Sequence, residues 1–247
     1  MVEDVSIVLH ADAVAEADLR ESSAVVVDVL RATTTIAVAL QNGAVGVVPT
    51  VAVEDALALA QCGDRLRLVL GGERENRPLP GFDAGNSPSA YTAALVADKQ
   101  VVLTTTNGTR ALCAVAAKVN GSHRVYCGAF VNAGAVANAL DEGPSMKAAV
   151  VCAGADAQMC IEDLLCAGMI AAKLRGYAGG SLRCSDGMLV AIAAYEGCSR
   201  HLLSVVQACP HARLLSDQGF SADVVDCCRV DSCDVVPAFV EGIVRRL

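Results

Sequence analysis

Tryptophan is absent from the 247 residues, and tyrosine and phenylalanine supply four residues each. A core for a chain of this length must therefore be built from Ala, Val, Leu and Ile, a mixture that suits buried parallel strands covered by Ala-rich helices. Basic residues are scarce as well: 19 Lys and Arg stand against 27 Asp and Glu, a formal charge of −8. With no Lys/Arg cluster, a nucleic-acid surface is excluded, because backbone binding needs concentrated positive charge. No apolar run approaches the ~18 residues that suggest a membrane span, and Met1-Val2-Glu3-Asp4 is acidic where a signal peptide would be basic. A cytoplasmic protein without membrane contact is expected. Gly-x-x-x-x-Gly-Lys-Ser/Thr and Gly-x-Gly-x-x-Gly are both missing, which removes the NTPase loop and the dinucleotide fingerprint. The twelve cysteines include no Cys-x-x-Cys and no Cys-x-x-x-x-x-Arg. They read as small apolar packing residues in a reducing compartment, with Cys152 beside a candidate loop, and not as zinc knuckles or phosphatase nucleophiles.

Short β-branched runs are present and regularly spaced. Val5 to Leu9, Ala24 to Leu30, Val45 to Val48, Leu66 to Leu70, Val101 to Leu103, Val125 to Cys127 and Ala148 to Cys152 predict strands. Helices are predicted between them. One runs from Thr33 to Asn42 and ends at Gly43, and another is opened by Ser87 as cap and Pro88 in the first turn. From about residue 161 the pattern is almost wholly helical, through Ile161 to Leu174, Met188 to Tyr195 and His201 to Ala208, with Asp234 to Pro237 as a late strand. No linker composition divides the chain. The prediction is one unit over residues 1–247, a three-layer α/β/α sandwich with a largely parallel, mixed sheet and weak internal duplication.

The chemistry concentrates in turns between strand and helix. Asp28-Val29-Leu30-Arg31-Ala32-Thr33-Thr34-Thr35, Gly81 to Pro88, and Thr104-Thr105-Thr106-Asn107-Gly108-Thr109-Arg110 bring glycines, hydroxyls and guanidinium groups to helix starts. Unpaired N–H groups and the positive dipole end there form anion sites, and parallel strands open such turns at one carboxyl edge. Gly154 to Ile161 resembles a further turn of this kind. Asp28 at a strand end is read as a structural partner of Arg31, a Mg²⁺ ligand or a nucleophile taking a phosphoryl group. Gly71-Gly72-Glu73-Arg74 is a surface turn or part of a functional loop. Thr105, Thr106, Thr109 and Arg110 clamp a phosphate, or the threonines merely cap the helix. Glu162-Asp163 either complements a helix dipole or supplies Mg²⁺ ligands. His10, His123, His201 and His211 are scattered, suggest no metal cluster, and are taken as ordinary surface or satisfied histidines.

At these residues the chain resembles the 2-phosphosulfolactate phosphatase family. The resemblance rests on Val27 to Thr35, Gly71-Gly72-Glu73-Arg74, Gly81-Phe82-Asp83 with Gly85-Asn86-Ser87-Pro88, and Thr105 to Arg110. Val131-Asn132-Ala133, Glu162-Asp163 and a weaker tail from Asp223 to Pro237 continue it, so most of the chain is covered. Where the third loop of the family would carry a Gly-Thr pair, this chain has Gly154-Ala155-Asp156. The resemblance implies an α/β/α fold of related halves and a Mg²⁺-dependent phosphatase. Its reaction would release phosphate from (R)-2-phospho-3-sulfolactate in coenzyme M biosynthesis. Asp28, Arg31, Glu73 and Arg110 are then expected to be catalytic. Asp28, Asp83, Glu162 and Asp163 are expected to hold the metal. Substrate contacts fall to Thr33, Thr34, Thr35, Arg74, Asn86, Ser87, Thr105, Thr106, Asn107, Gly108, Thr109 and Asn132. Leu30 stands where aspartyl-phosphate phosphatases carry a second Asp, which favours direct attack of water with Asp28 on Mg²⁺. The implied partner is a small anionic phosphorylated substrate, with a homo-oligomer left open. The alternatives are another phosphorylated hydroxy acid as substrate, or a small-anion binding or sensing module without turnover.

Overall fold

The computed structural model describes residues 1–119 and 124–247, so His123 lies outside the described residues. Its strands are β1 (Asp4–Val8), β2 (Ser23–Val27), β3 (Gly46–Thr50), β4 (Leu68–Arg74), β5 (Arg77–Pro78), β6 (Gln100–Thr104), β7 (Val125–Gly128), β8 (Lys147–Cys152), β9 (Arg183–Cys184), β10 (Pro237–Val240) and β11 (Ile243–Arg246). The α-helices are α1 (Ala32–Gln41), α2 (Val53–Cys62), α3 (Ala93–Val96), α4 (Gly108–Ala116), α5 (Ala133–Asp141), α6 (Ile161–Tyr177), α7 (Asp186–Cys198), α8 (Leu202–Gln207), α9 (Pro210–Asp217) and α10 (Ser221–Cys227). All strands join one sheet in the order β5-β4-β6-β3-β11-β10-β7-β2-β8-β1-β9.

The expected apolar runs become β1 to β4 and β6 to β8. In β2 every residue is buried. Val25 and Val27 enter a core with α5, α6 and α7, whereas Ala24 and Val26 enter a second core with α1 and α4. Burial on both faces requires an uninterrupted apolar run rather than alternation. A small third cluster joins Ala56 of α2 to Leu70 and Val102 on the outer face of β4 and β6. Helices thus cover both faces of a mostly parallel sheet, the α/β/α arrangement.

The late strand differs from the expectation. Residues 234–236 stay outside the sheet, the strand starts at Pro237, and it turns through Glu241 and Gly242, both at positive φ, into β11. Such a two-residue loop matches the twist of an antiparallel pair. The hairpin is antiparallel to both β3 and β7, so β3, β4 and β6 run opposite to β7, β2, β8, β1 and β9, and the carboxyl ends of β2 and β6 do not share the one sheet edge expected from a parallel sheet; β5 adds a further antiparallel pair at the end. α1 closes as predicted at Gly43 (φ +96°), with Ala44 N–H donating to Ala39 O at 3.0 Å. Ser87 does not cap a helix: Pro88–Ala90 is a single 3₁₀ turn and the Ser87 hydroxyl is engaged elsewhere.

The stretch Asp186–Asp217 is long and apolar enough by composition to cross a membrane. It is not one rod, because a 3₁₀ turn at Ser199–His201 and extended backbone at Cys209 divide it. Met188, Ile192, Val206 and Leu215 along it pack into the core with α6.

Two contacts position the functional edge. α1 packs on β3 and β7, and α4 packs on β2, β3 and β7, so the turns leading into both helices meet although β2 and β6 are far apart in the sheet. Close approach of α6 and α7 fixes the other helix layer. A Cβ on Gly168 would lie 2.0 Å from Ala191 O, whereas one on Gly176, in the same helix, would meet nothing within 4 Å. Gly168→Ala is therefore expected to lower stability in urea unfolding by about 1–3 kcal/mol. Gly176→Ala should raise it by roughly 0.5–1 kcal/mol through lost chain entropy; equal effects of the two would contradict this packing.

Candidate active site

Two turns at strand carboxyl ends are closed in the same way. After β2, Asp28 N–H donates to Thr33 Oγ1 (3.0 Å), and the Thr33 hydroxyl donates back to Asp28 O (2.9 Å). After β6, Thr105 N–H donates to Thr109 Oγ1 and the Thr109 hydroxyl donates to Thr105 O, each at 3.1 Å. Thr34 donates to Val29 O and Thr35 to Asn86 O. The hydroxyls of Thr33, Thr34, Thr105 and Thr109 thus bond within their own turns and that of Thr35 ties α1 to the loop at Asn86, while neither α1 nor α4 has a side-chain cap hydrogen bond. Thr106 differs, since it lines a pocket.

That pocket, about 200 Å³, is lined by Asp28, Arg31, Glu73, Asn86, Thr106 and Asn107, together with Asp156 and His211. Burial raises the Asp28 carboxyl to about 6, with the nearby His211 charge acting the other way. Its Oδ1 accepts a bond from Ala32 N–H (3.3 Å). Among the described residues no hydrogen bond engages Oδ2, and a Cβ on Gly108 would come within 2.6 Å of it. Glycine at position 108 keeps this oxygen clear. Glu73 is committed differently: Oε1 accepts from Thr106 N–H (2.7 Å) and Oε2 from Asn76 N–H (2.9 Å) and the Thr106 hydroxyl (3.2 Å). Gly72, at φ +155° and with no room for a Cβ beside Thr104 O, lets β4 deliver Glu73 there. Asn86 Oδ1 is buried with no hydrogen-bond partner among the described residues, an acceptor of the kind that calls for a ligand or ion.

Arg31 does not pair with Asp28. Its buried Nη1 lies 2.6 Å from Asp223 Oδ2, its Nη2 donates to Asn76 O, and its guanidinium stacks 4.4 Å from the Phe220 ring centroid. The Ser87 hydroxyl donates to the same Asp223 oxygen (2.7 Å). Several predicted residues stand outside the pocket. Arg110 is half-exposed and ion-paired with Asp12. Asp83 pairs with Arg65 and accepts from Leu70 N–H. Arg74 donates to Glu73 O, Val51 O and Thr104 Oγ1. Asn132 is fully buried, bonded to Ala129, Cys127 and Val235 backbone groups.

Glu162 and Asp163 open α6 but do not share a task. Asp163 accepts from Val29 N–H (2.9 Å) and Gly154 N–H (3.2 Å), joining the loops after β2 and β8. Burial, with the charges of Asp28 and Glu162, holds its carboxyl well above the ordinary range, against the pull of those two N–H groups. Glu162 lies 3.0 Å from His211 Nδ1 and accepts from the Cys209 thiol (3.2 Å). Burial opposes its charge, but the His211 hydrogen bond and charge outweigh this and lower its pKa. For His211, burial is outweighed by Glu162, and the pKa rises. This histidine is a satisfied one, paired with Glu162, and it also lines the pocket. The sequence reading marks neither His211, nor Asp223 as the partner of Arg31, as belonging to the site.

A model of the 2-phosphosulpholactate phosphatase family matches residues 8–242. A protein named probable 2-phosphosulfolactate phosphatase from Caldanaerobacter subterraneus subsp. tengcongensis is 36% identical over 228 residues, 92% of each chain. One of the same name from Symbiobacterium thermophilum is 38% identical over 224 residues, covering 91% of this chain and 94% of its own. Another from Clostridium tetani is 34% identical over 245 residues, 98% of this chain and all of its own.

The Arg31–Asp223 pair spans 192 positions of sequence with both side chains nearly inaccessible. Removing one member of a buried pair leaves an uncompensated charge. Asp223→Ala should cost about 3–5 kcal/mol in chemical denaturation. A loss under 1 kcal/mol would mean that Arg31 finds its compensation elsewhere.

Proposed function

The chain belongs to the 2-phosphosulfolactate phosphatase family, hydrolases of phosphoric monoesters, and on that premise we propose that it converts 2-phospho-3-sulfolactate to 3-sulfolactate and phosphate with Mg²⁺ in the Asp28–Asn86 pocket. The observation that carries this reading is that Asp28, with an oxygen no hydrogen bond engages, lines the same small cavity as Asn86, whose Oδ1 is buried without a partner among the described residues. Both are hard oxygen donors, the kind that Mg²⁺ takes when substrate phosphate and water complete its octahedron. Asp28 and Asn86 would hold the ion. Asp83 is outside the pocket, Asp163 is tied to backbone N–H groups, and Glu162 faces nitrogen and sulfur.

When bound, Mg²⁺ supplies charge neutralisation at the phosphoryl oxygens. The chain supplies the rest. Arg31, fixed by Asp223, Asn76 and Phe220 and nearly inaccessible itself, lines the pocket wall and adds positive potential there for an anionic substrate. Thr106 and Asn107 set the entry of α4, whose first N–H groups favour a second anion. Glu73 holds that turn in place through Thr106 N–H. Leu30 also lines the pocket and carries no proton, consistent with Asp28 as a ligand and water as the attacking group.

The test is phosphate release from 2-phospho-3-sulfolactate and from analogues lacking the sulfonate. Turnover should vanish on chelation and return with Mg²⁺ alone; full turnover in metal-free buffer, verified by elemental analysis, would overturn the metal role. Asp28→Asn should remain folded and lose on the order of 10²–10³ in kcat. Arg31→Ala should lower kcat/KM at least about tenfold more than Arg110→Ala, because only Arg31 lines the pocket. Equal turnover of sulfonate-free analogues would move the substrate to another phosphorylated hydroxy acid.

A further inference from the structure

We infer that Cys160, Glu162 and His211 form a second cation site, suited to a borderline-soft divalent ion such as Zn²⁺, on the wall that faces the Asp28 pocket. One ligand atom from each of the three residues lies within 4.8 Å of the others. The Glu162–His211 separation is 3.0 Å. A tetrahedral ion with Zn–S of about 2.3 Å and Zn–N or Zn–O of about 2.0 Å sets its ligands roughly 3.3–3.6 Å apart. The three side chains therefore need only small shifts to close on an ion.

Their placement is built by two helix starts. Cys160 immediately precedes α6 and Glu162 lies in its first turn, while His211 is the second residue of α9. Cys209, which caps α9 by accepting Ala212 N–H, also donates to Glu162 Oε2 and so orients the carboxylate. Outer partners of this kind fix ligand direction in metal sites. The cluster is approachable: Cys160, Glu162 and His211 line a cavity of about 410 Å³, and His211, Asp156, Ala155 and Leu214 are shared with the Asp28 pocket.

The donor set decides the ion. Sulfur and imidazole nitrogen suit Zn²⁺ and reject Mg²⁺, which demands oxygen. On binding, the Cys160 thiol gives up its proton to solvent. Three protein ligands leave a fourth position open toward the cavity, as in zinc sites that do chemistry rather than those that hold a fold. The inference does not rest on the Mg²⁺ reading, because Asp28 and Asn86 take no part in it.

The experiment is a titration of the chelator-stripped full chain with Co²⁺ as a spectroscopic stand-in and with Zn²⁺ by calorimetry. One ion per chain is expected, with a thiolate-to-cobalt charge-transfer band and the visible bands of four-coordinate Co²⁺. A large excess of Mg²⁺ should not displace it. Cys160→Ser should abolish the charge-transfer band and weaken Zn²⁺ by at least about 100-fold. Asp28→Asn and the control Cys113→Ser should retain both. Absence of sulfur charge transfer in the wild type, or displacement by Mg²⁺, would overturn the site whether or not the variants fold. Loss of Mg²⁺-dependent turnover would leave these readouts unchanged, so the two readings fail separately.

Discussion

Buried carboxylates that accept backbone N–H groups from adjoining loops hold the functional edge together. Where a parallel strand ends, its ladder stops and the next N–H groups need new acceptors. Asp163 takes Val29 and Gly154, tying the loop after β2 to the loop after β8. Glu73 takes Thr106 and Asn76, tying the loop after β6 to the one after β4. Each acid satisfies two donors that belong to different segments, so the pocket's shape follows from these contacts rather than from the strands alone. The arrangement has an electrostatic consequence. The charges of Asp28 and Glu162 add to burial in raising the proton affinity of Asp163, those of Glu73 and Glu162 do the same for Asp28, and His211 lowers that of Glu162. Such a cluster is held more readily when cations occupy it.

The fold was legible where local pattern is sufficient. Runs such as Ala24 to Val27 and Val101 to Leu103 are apolar on both faces because they are covered on both faces, and nothing nonlocal is needed to read that. The turns were legible as special for the same reason. What the residue types could not convey is direction. Thr33 and Thr109 sit at helix starts in either reading, and only the turn geometry shows their hydroxyls returning to Asp28 O and Thr105 O. Guanidinium partners were equally invisible, since Arg110 finds Asp12, Asp83 finds Arg65, and Arg31 finds Asp223, across 98, 18 and 192 positions. His211 reads from sequence as a surface or satisfied histidine because the four histidines are scattered. The available signal was a repeated spacing, Cys160-x-Glu162 and Cys209-x-His211, with each pair at a helix start.

Moving Arg74 and Arg110 out of the pocket changes how a multiply anionic substrate is met. A phosphate, a sulfonate and a carboxylate would face one guanidinium, and that guanidinium is already paired with Asp223. The remaining positive potential comes from His211, already set against Glu162, and from helix starts, worth typically 0.3–1 kcal/mol each at exposed sites, which is too little to offset Asp28 and the neighbouring acids. In the proposed reading the cation is therefore required for binding as well as for chemistry, because without it the pocket presents carboxylate to an anion. Cation and substrate should then bind cooperatively, each raising the affinity of the other by the same factor, as linkage demands. This makes the acids intelligible: they oppose the substrate alone and favour it once an ion is shared.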